Sequence, residues 1–113
     1  MSDVSDEDSK LITLARTARA RSNAAEGAAV RDETGRTYIA TTVSLSALSL
    51  SAGLAAIAMA VSSGASKLEG VVVVTDAGEF TTSDVDAGRE LAVPGALMHR
   101  CDASGAVVET ISL

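Results

Sequence analysis

The single histidine and the single cysteine are the side chains with the widest chemical range. His99 and Cys101 are two residues apart on a predicted strand, so both side chains point to the same face. Imidazole nitrogen and thiolate sulfur are common zinc ligands, and this pair would supply two of the four that a tetrahedral ion needs. The others would be carboxylates from elsewhere, and the sequence shows no suitable cluster. We interpret the two residues as an incidental core or surface pair, and predict no metal site and no cofactor.

Hydroxyl groups offer a second kind of chemistry. Four serines lie on the approach to the second predicted helix and in its first turn: Ser44, Ser46, Ser49 and Ser51. A serine nucleophile needs a base beside it, and nothing in the sequence marks His99 as that base. Helix capping explains these serines better. An enzyme with different chemistry would depend on four residues whose convergence the sequence does not show: Asp84, Asp86, Arg89 and His99.

The composition indicates one domain with a core of small side chains. Of the 113 residues, 47% are hydrophobic and 2% aromatic, namely Tyr38 and Phe80. This length matches one domain. Small side chains bury little area each, so a monomer would be only modestly stable. Burial of an apolar face against a second copy would increase that stability. We therefore predict a homo-oligomer, either a dimer or a tetramer.

The charge of the chain limits its partners. The net charge is −6 and the pI is about 4.6, which is the wrong sign for binding nucleic acid over a broad surface. The acidic residues 1–8 predict a flexible, solvated N-terminus, followed by a single domain over residues 9–113. One cysteine excludes an intramolecular disulfide and fits a reducing compartment. Since no export signal is visible, we expect a cytoplasmic protein.

Residues 37–66 contain no charged side chain, a length that could span a bilayer. The segment is rich in Ser and Thr, however, and its most apolar part covers only residues 54–61. A buried core helix is the better interpretation, and we expect no association with a membrane.

Hydrophobic periodicity predicts the order helix, hairpin, helix, strand, helix, hairpin. The first helix has its cap at Asp8 or Ser9 and runs to about Arg21. The remaining predicted elements are strands Glu26–Arg31 and Arg36–Thr42, a buried helix Leu48–Val61, a strand Leu68–Thr75, a helix from Ser83 or Asp84 to Leu91, and strands Ala96–Cys101 and Ala106–Ser112. Pro94 and Gly95 are predicted to break the chain before the last two strands.

The strand Leu68–Thr75 contains four consecutive valines, Val71 to Val74. Such a run is typical of a strand covered on both faces, so a helix layer is expected on each side of the sheet. The order strand, helix, strand also favours a parallel crossover. The predicted class is α/β, a three-layer αβα sandwich with a mixed five-stranded sheet.

Several short motifs follow one another along these elements. They are Gly27-Ala28-Ala29-Val30, Gly35 and Tyr38 in the first hairpin, Ala60-Val61-Ser62-Ser63-Gly64 at the end of the buried helix, and Thr75-Asp76 after the valines. In order and spacing the chain resembles the small, homotetrameric, zinc-dependent cytidine deaminases over roughly residues 11–113. The resemblance implies the same fold.

The resemblance also shows which chemistry is missing. In that family a Cys or His two residues ahead of a catalytic Glu holds Zn²⁺ together with two Cys of a Pro-Cys-x-x-Cys turn. The metal activates water and the Glu moves the proton. Counted without gaps, the first motif falls on Leu50-Ser51-Ala52-Gly53 and the second on Ser83-Asp84-Val85-Asp86-Ala87-Gly88-Arg89. Ser51, Val85 and Gly88 then stand at the ligand positions and Gly53 at that of the base, which implies a degenerate member.

The parts that hold the nucleoside in the family are altered as well. The family's Asn-Val-Glu, which binds ribose, best matches Thr42-Val43-Ser44, although the interval to Ser51 is about two residues short. The segment that supplies an aromatic over the base reads Arg21-Ser22-Asn23-Ala24-Ala25. A pyrimidine would find nothing there to stack on.

The leading hypothesis is a catalytically inactive cytidine deaminase-like protein, not an enzyme, that acts as a structural or protein-interaction module with an unidentified protein partner. The alternative is a protein that binds a nucleoside or another small polar ligand without turnover, through Thr42, Ser44 and Ser51. We assign no catalytic, cofactor-binding or metal-binding residue.

Overall fold

A computed structural model describes residues 4–113, which form a mixed sheet of five strands with helices on both faces. The helices are α1 (Asp6–Ser22), α2 (Ala52–Ser62) and α3 (Thr82–Leu91). The strands are β1 (Glu26–Asp32), β2 (Thr37–Thr41), β3 (Val43–Ser44), β4 (Ser49–Leu50), β5 (Leu68–Thr75), β6 (Ala92–Cys101) and β7 (Val107–Ser112). The predicted α/β class, with a mixed five-stranded sheet between helix layers, is confirmed.

The strand order in the sheet is β2-β1-β5-β6-β7. All neighbours are antiparallel except β5 and β6, which are parallel. The chain reaches β6 from β5 through α3, as expected of a parallel pair, which needs a crossover connection. The short strands β3 and β4 pair only with each other, and this small hairpin was not predicted.

The sheet has an apolar core on each face. On one face α1 packs through Leu11 and Ala15 against Ala29, Val72, Val74 and Cys101. On the other face α2 packs through Ala56 and Ile57 against Ala28, Val30, Val71, Val73 and Met98. The valines of β5 therefore alternate between the two cores, which explains why the run shows no apolar–polar alternation.

The start of α1 corrects the prediction for the N-terminus. The helix begins at Asp6 rather than near Ser9, with Ser5 as its N-cap accepting a hydrogen bond from Asp8 N at 3.1 Å. Asp8 is buried, not solvated. The acidic side chains of this first turn lie at the positive end of the helix dipole, where negative charge is favourable. Residues 1–3 of the predicted flexible segment lie outside the described residues.

Two other predicted bounds were wrong. Helix α2 begins at Ala52 rather than Leu48, because Ser51 caps it and Ser49–Leu50 pair with β3. Strand β6 also runs through Pro94 and Gly95 instead of beginning after them. The pairing with β5 jumps from Ala92 to Leu97, and Gly95 has φ 87°. Proline and glycine thus lie in an irregular section of the strand, where a missing amide hydrogen and a left-handed residue are tolerated.

Two turns of the same kind close the outer hairpins. Asp32 Oδ1 accepts hydrogen bonds from Thr34 and from Arg36 N, and Asp102 Oδ1 accepts them from Ser104 and from Ala106 N. These contacts mimic a backbone turn. The predicted turns 32–35 and 102–105 are therefore confirmed.

Among the described helices, none is both long enough and apolar enough to cross a membrane. The uncharged residues 37–66 are divided among β2, the β3–β4 hairpin, α2 and the turns that join them.

Candidate functional site

The N-termini of α2 and α3 meet on one face of the sheet. Ser51 caps α2 by accepting a hydrogen bond from Leu54 N at 3.1 Å, and Thr81 caps α3 by accepting one from Asp84 N at 3.2 Å. The Ser51 hydroxyl donates to Asp84 Oδ1 at 2.5 Å. This contact brings together the two segments to which the resemblance assigned the zinc ligands.

The buried carboxyl group of Asp84 is the centre of this site. Only 2% of Asp84 is exposed. Burial raises its pKa, and the negative charge of Glu26 adds to that effect, whereas the hydrogen bond from Ser51 opposes it. Glu26 is anchored in turn, because its Oε1 accepts a hydrogen bond from Ala52 N at 3.4 Å.

Gly53 leaves the space that the Asp84 side chain fills. A Cβ atom added at Gly53 would lie 2.8 Å from Asp84 Oδ2, which is too close for any larger side chain unless Asp84 moves. The resemblance places the catalytic Glu of the family at this position. In this protein a carboxyl group is supplied instead by Asp84 of α3, which accepts a hydrogen bond from Ser51.

The remaining two ligand positions are apolar. Val85 is half-buried and packs against the core formed with α2. A Cβ atom at the buried Gly88 would lie 3.4 Å from Leu113 Cδ1, so the C-terminal leucine covers this position.

These residues do not fit a zinc ion. An isopropyl group and a bare backbone position offer no ligand atom, and the Ser51 hydroxyl is already bonded to Leu54 N and Asp84. Across residues 4–113 no group of three or more His, Cys, Asp or Glu side chains is arranged to hold a metal ion.

The segments matched to nucleoside binding have structural roles. Thr42 Oγ1 accepts a hydrogen bond from Glu26 N at 2.9 Å, and Thr42 N donates to Glu26 O at 3.3 Å, which extends the β1–β2 pairing. Ser44 is exposed on β3, opposite Ser49. The segment 21–25 ends α1, where Asn23 adopts the left-handed conformation.

His99 and Cys101 lie on the same face of β6, as predicted, and this face packs against α1, but the two side chains have different surroundings. Cys101 is fully buried, and burial raises its pKa to about 11, so the thiol stays protonated at neutral pH. His99 Nε2 lies 2.9 Å from Asp8 Oδ2, and Nδ1 lies 2.8 Å from Thr110 Oγ1. Both ring nitrogens of His99 therefore have partners within the chain.

Sequence reasoning missed Asp8 and Thr110 as partners of His99. Asp8 was assigned to a solvated tail, and the acidic first turn of a capped helix was the signal that would have corrected this. Thr110 stands opposite His99 in the β6–β7 register, which the turn at Asp102 sets. The residues considered together with His99 for an alternative chemistry do not converge on it: Asp84, Asp86 and Arg89 belong to α3, on the other face of the sheet.

Comparison with known proteins gives a consistent result. A family model described as cytidine deaminase-like matches residues 4–105. No protein with a curated description matches the sequence. Among solved structures, the cytidine deaminase from Burkholderia pseudomallei superposes with a TM-score of 0.77 at 22% identity, covering 91% of this chain and 90% of that one. The Mycobacterium leprae enzyme gives 0.70 at 21% identity (95% and 94% covered), and the Mycobacterium tuberculosis enzyme 0.68 at 20% (84% and 85% covered).

Proposed function

Because the chain belongs to the cytidine deaminase-like family, we propose that it keeps the fold of that family without its deamination and acts as a structural or protein-interaction module. The observation that carries this proposal is the contact between Ser51 and Asp84 beside Gly53. An alcohol and a carboxyl group occupy the space where the family chemistry needs a metal thiolate and a general base.

The direct test is a deamination assay on the purified full chain with cytidine and added Zn²⁺. We expect no ammonia release above buffer, and no stoichiometric zinc by elemental analysis after dialysis. Asp84→Asn is a matched control, because a trace activity equal in both proteins would come from a contaminant. Zinc-dependent ammonia release that disappears in Asp84→Asn would contradict the proposal.

The module function is supported by exposed apolar side chains on the β3–β4 hairpin and on α2. Leu45 and Leu48 in the β3–β4 hairpin are 65% and 49% exposed, and Met59 and Val61 on α2 are 46% and 49% exposed. Large exposed apolar side chains of this kind favour an interface with another protein. A second copy of this chain is the partner that the predicted homo-oligomer requires.

Light scattering coupled to gel filtration tests the oligomer. We expect a mass above that of one chain at micromolar concentration, and a shift toward one chain in the variant Leu48→Asn with Met59→Gln. Val108→Asn is the control, because Val108 is 51% exposed on β7, away from α2. A wild-type mass of one chain would contradict the proposal.

The alternative function, binding of a nucleoside without turnover, is supported by the polar cluster of Ser51, Asp84 and Glu26. The engagement of Thr42 and Ser51 within the chain counts against it. A thermal-shift screen with nucleosides separates the two functions, since a ligand at a hundredfold its Kd stabilises by about 2.7 kcal/mol. We expect no shift; a saturable shift abolished by Ser51→Ala would favour the alternative.

We also propose a cytoplasmic location, which the free and buried thiol of Cys101 supports.

A further inference from the structure

A hydrogen-bonded chain of three side chains crosses the α1 face of the sheet, away from the site formed by Ser51, Gly53 and Asp84 (the α2–α3 site). It runs from Thr110 Oγ1 to His99 Nδ1 (2.8 Å) and from His99 Nε2 to Asp8 Oδ2 (2.9 Å). His99 is 2% exposed and Asp8 is 5% exposed, whereas Thr110 is exposed. The order is the hydroxyl of an exposed residue, a buried imidazole and a buried carboxylate, which is the arrangement of an activated nucleophile.

The β6–β7 register places the hydroxyl and the imidazole together. Leu113 N donates to Ala96 O, and His99 pairs with Thr110 three positions further along the ladder. Directly opposite residues alternate between hydrogen-bonded and non-hydrogen-bonded pairs, so His99 and Thr110 form a non-hydrogen-bonded pair with closely spaced side chains. Because β7 is an edge strand, the Thr110 N–H then points to the open edge of the sheet.

The Asp8 carboxylate fixes the proton positions in the hydrogen bonds among Thr110, His99 and Asp8. Burial raises the pKa of Asp8, but hydrogen bonds from His99 and Arg31 outweigh it, and the pKa lies below its usual value. An ionised carboxylate only accepts hydrogen bonds, so His99 Nε2 donates to Asp8. In the neutral imidazole Nδ1 is then the acceptor, and the Thr110 hydroxyl donates to it. Arg31 holds the other oxygen of Asp8 from 3.0 Å.

Thr110 and His99 open into a cleft of about 700 Å³ between α1 and β7. Its walls include Ile12, Leu97 and Val107, so it accepts an apolar group next to the hydroxyl.

We propose that this cleft is an acyl-transfer site for carboxylic esters with a short apolar acyl chain, in which Thr110 is the nucleophile, His99 the general base and Asp8 a positioning residue. The Thr110 oxygen adds to the ester carbonyl carbon while its proton moves to His99 Nδ1. The bond to the alcohol then breaks, and the alcohol leaves with that proton. Water adds to the acyl carbon by the same route and releases the carboxylic acid, while the Thr110 oxygen regains its proton.

The Thr110 N–H at the open edge of the sheet is a donor for the oxygen that becomes negative during this addition. This inference goes beyond the proposed function, because it concerns the opposite face of the sheet and none of its residues belongs to the α2–α3 site. Loss of deamination and gain of ester hydrolysis can therefore be tested separately.

The test measures hydrolysis of p-nitrophenyl butyrate by the full chain, together with mass spectrometry of the acylated peptide. We expect turnover and an acyl adduct on Thr110, a rate at least about a hundredfold lower in Thr110→Val and His99→Gln, and retained activity in Thr110→Ser. Thr37→Val, an exposed strand threonine at the opposite edge of the sheet, should keep the wild-type rate.

Thr110→Val preserves shape and β-propensity at an exposed position, so the variant should fold, which circular dichroism verifies. If His99→Gln does not fold, the hydrolysis rates of Thr110→Val and Thr110→Ser are sufficient to test the proposal. A wild-type rate no higher than that of folded Thr110→Val, or an adduct on another residue, would overturn the proposal.

Discussion

At the scale of single residues, the α2–α3 site depends on the absence of a side chain at Gly53. Gly53 has no side chain, and the Asp84 carboxyl group fills the volume that a side chain there would need. Ser51 holds that carboxyl group in place. Gly53 and Asp84 are therefore energetically coupled, although they belong to different helices.

A double-mutant cycle tests this coupling. Gly53→Ala should lower the free energy of unfolding by about 1–3 kcal/mol, because the added Cβ overlaps Asp84 Oδ2. In an Asp84→Ala background the same change should be neutral or stabilise by up to about 1 kcal/mol, since alanine favours a helix over glycine. Urea unfolding of the four proteins measures the cycle. Equal effects in both backgrounds would show that the two sites are independent.

The raised pKa of Asp84 gives a pH dependence of defined sign. A carboxyl group whose pKa is higher in the folded state stabilises the fold below its unfolded pKa, and this contribution is lost as the pH rises through the folded value. We expect Asp84→Asn, which keeps an acceptor for Ser51, to gain stability relative to the wild type as the pH rises from about 3 to 7. Thermal melts across this range measure the difference. A loss of stability of Asp84→Asn relative to the wild type over the same rise in pH would contradict the assignment.

At the scale of elements, the capping residues decide where the helices begin. Ser5, Ser51 and Thr81 each accept a hydrogen bond from a backbone N–H in the first turn. These bonds satisfy donors that a helix leaves unpaired at its N-terminus. The cap at Ser51 also explains why α2 begins after the β3–β4 hairpin and not within it.

Removal of the α2 cap should therefore be costly. Ser51→Ala should destabilise the protein by at least about 1 kcal/mol, because it removes the cap and also the hydrogen bond to Asp84. Ser49→Ala, on the exposed strand just before it, should change the stability by less than about 0.5 kcal/mol. Chemical denaturation of both variants provides the comparison. Similar values for the two serines would show that α2 does not depend on this cap.

At the scale of the whole molecule, buried charges join the α1 layer to the sheet. Asp8 on α1 contacts Arg31 on β1 at 3.0 Å and His99 on β6 at 2.9 Å. The side chains of Asp8 and Arg31 are 8% and 13% exposed, so the Asp8 carboxylate depends on these two contacts in place of water, whereas Arg31 also contacts Glu69 Oε1 at 3.3 Å. Two separate strands thus hold one carboxylate of the helix.

Replacement of Arg31 should lower the free energy of unfolding. Arg31→Met should destabilise the protein by about 3 kcal/mol, because it leaves a buried carboxylate short of a cation. Arg100→Met is the matched control on the sheet, where the partner Glu109 is 40% exposed, and it should cost at most about 1 kcal/mol. Urea unfolding of both variants measures the two losses.

The same contact has an acid dependence. The pKa of Asp8 is lowered, so its stabilisation is present above the unfolded pKa and is lost as the pH falls through the folded value. Acid unfolding should therefore begin at a higher pH in Arg31→Met than in the wild type. If Arg31→Met and Arg100→Met lose the same free energy of unfolding, the ion pair of Asp8 with Arg31 does not stabilise the α1 layer more than a surface pair does.

The sequence by itself determined the helices and the strands of the main sheet, because helix and strand patterns are local. The valine run of β5, the Asp-x-Thr/Ser-Gly turns and the alanine-rich α2 each carry their signal within a few residues. These patterns, together with the family resemblance, are enough to predict the α/β class and the positions of Ser51, Gly53, Val85 and Gly88.

Only the tertiary structure decided which side chains meet. Asp8 and His99 are 91 residues apart, and Ser51 and Asp84 are 33 apart. The first contact depends on how α1 packs across the sheet, and the second on how α2 and α3 pack beside each other on the opposite face. Neither packing arrangement is encoded by a local pattern, since both follow from the summed burial of many side chains. The buried position of Asp8 within an acidic N-terminal segment is the clearest consequence.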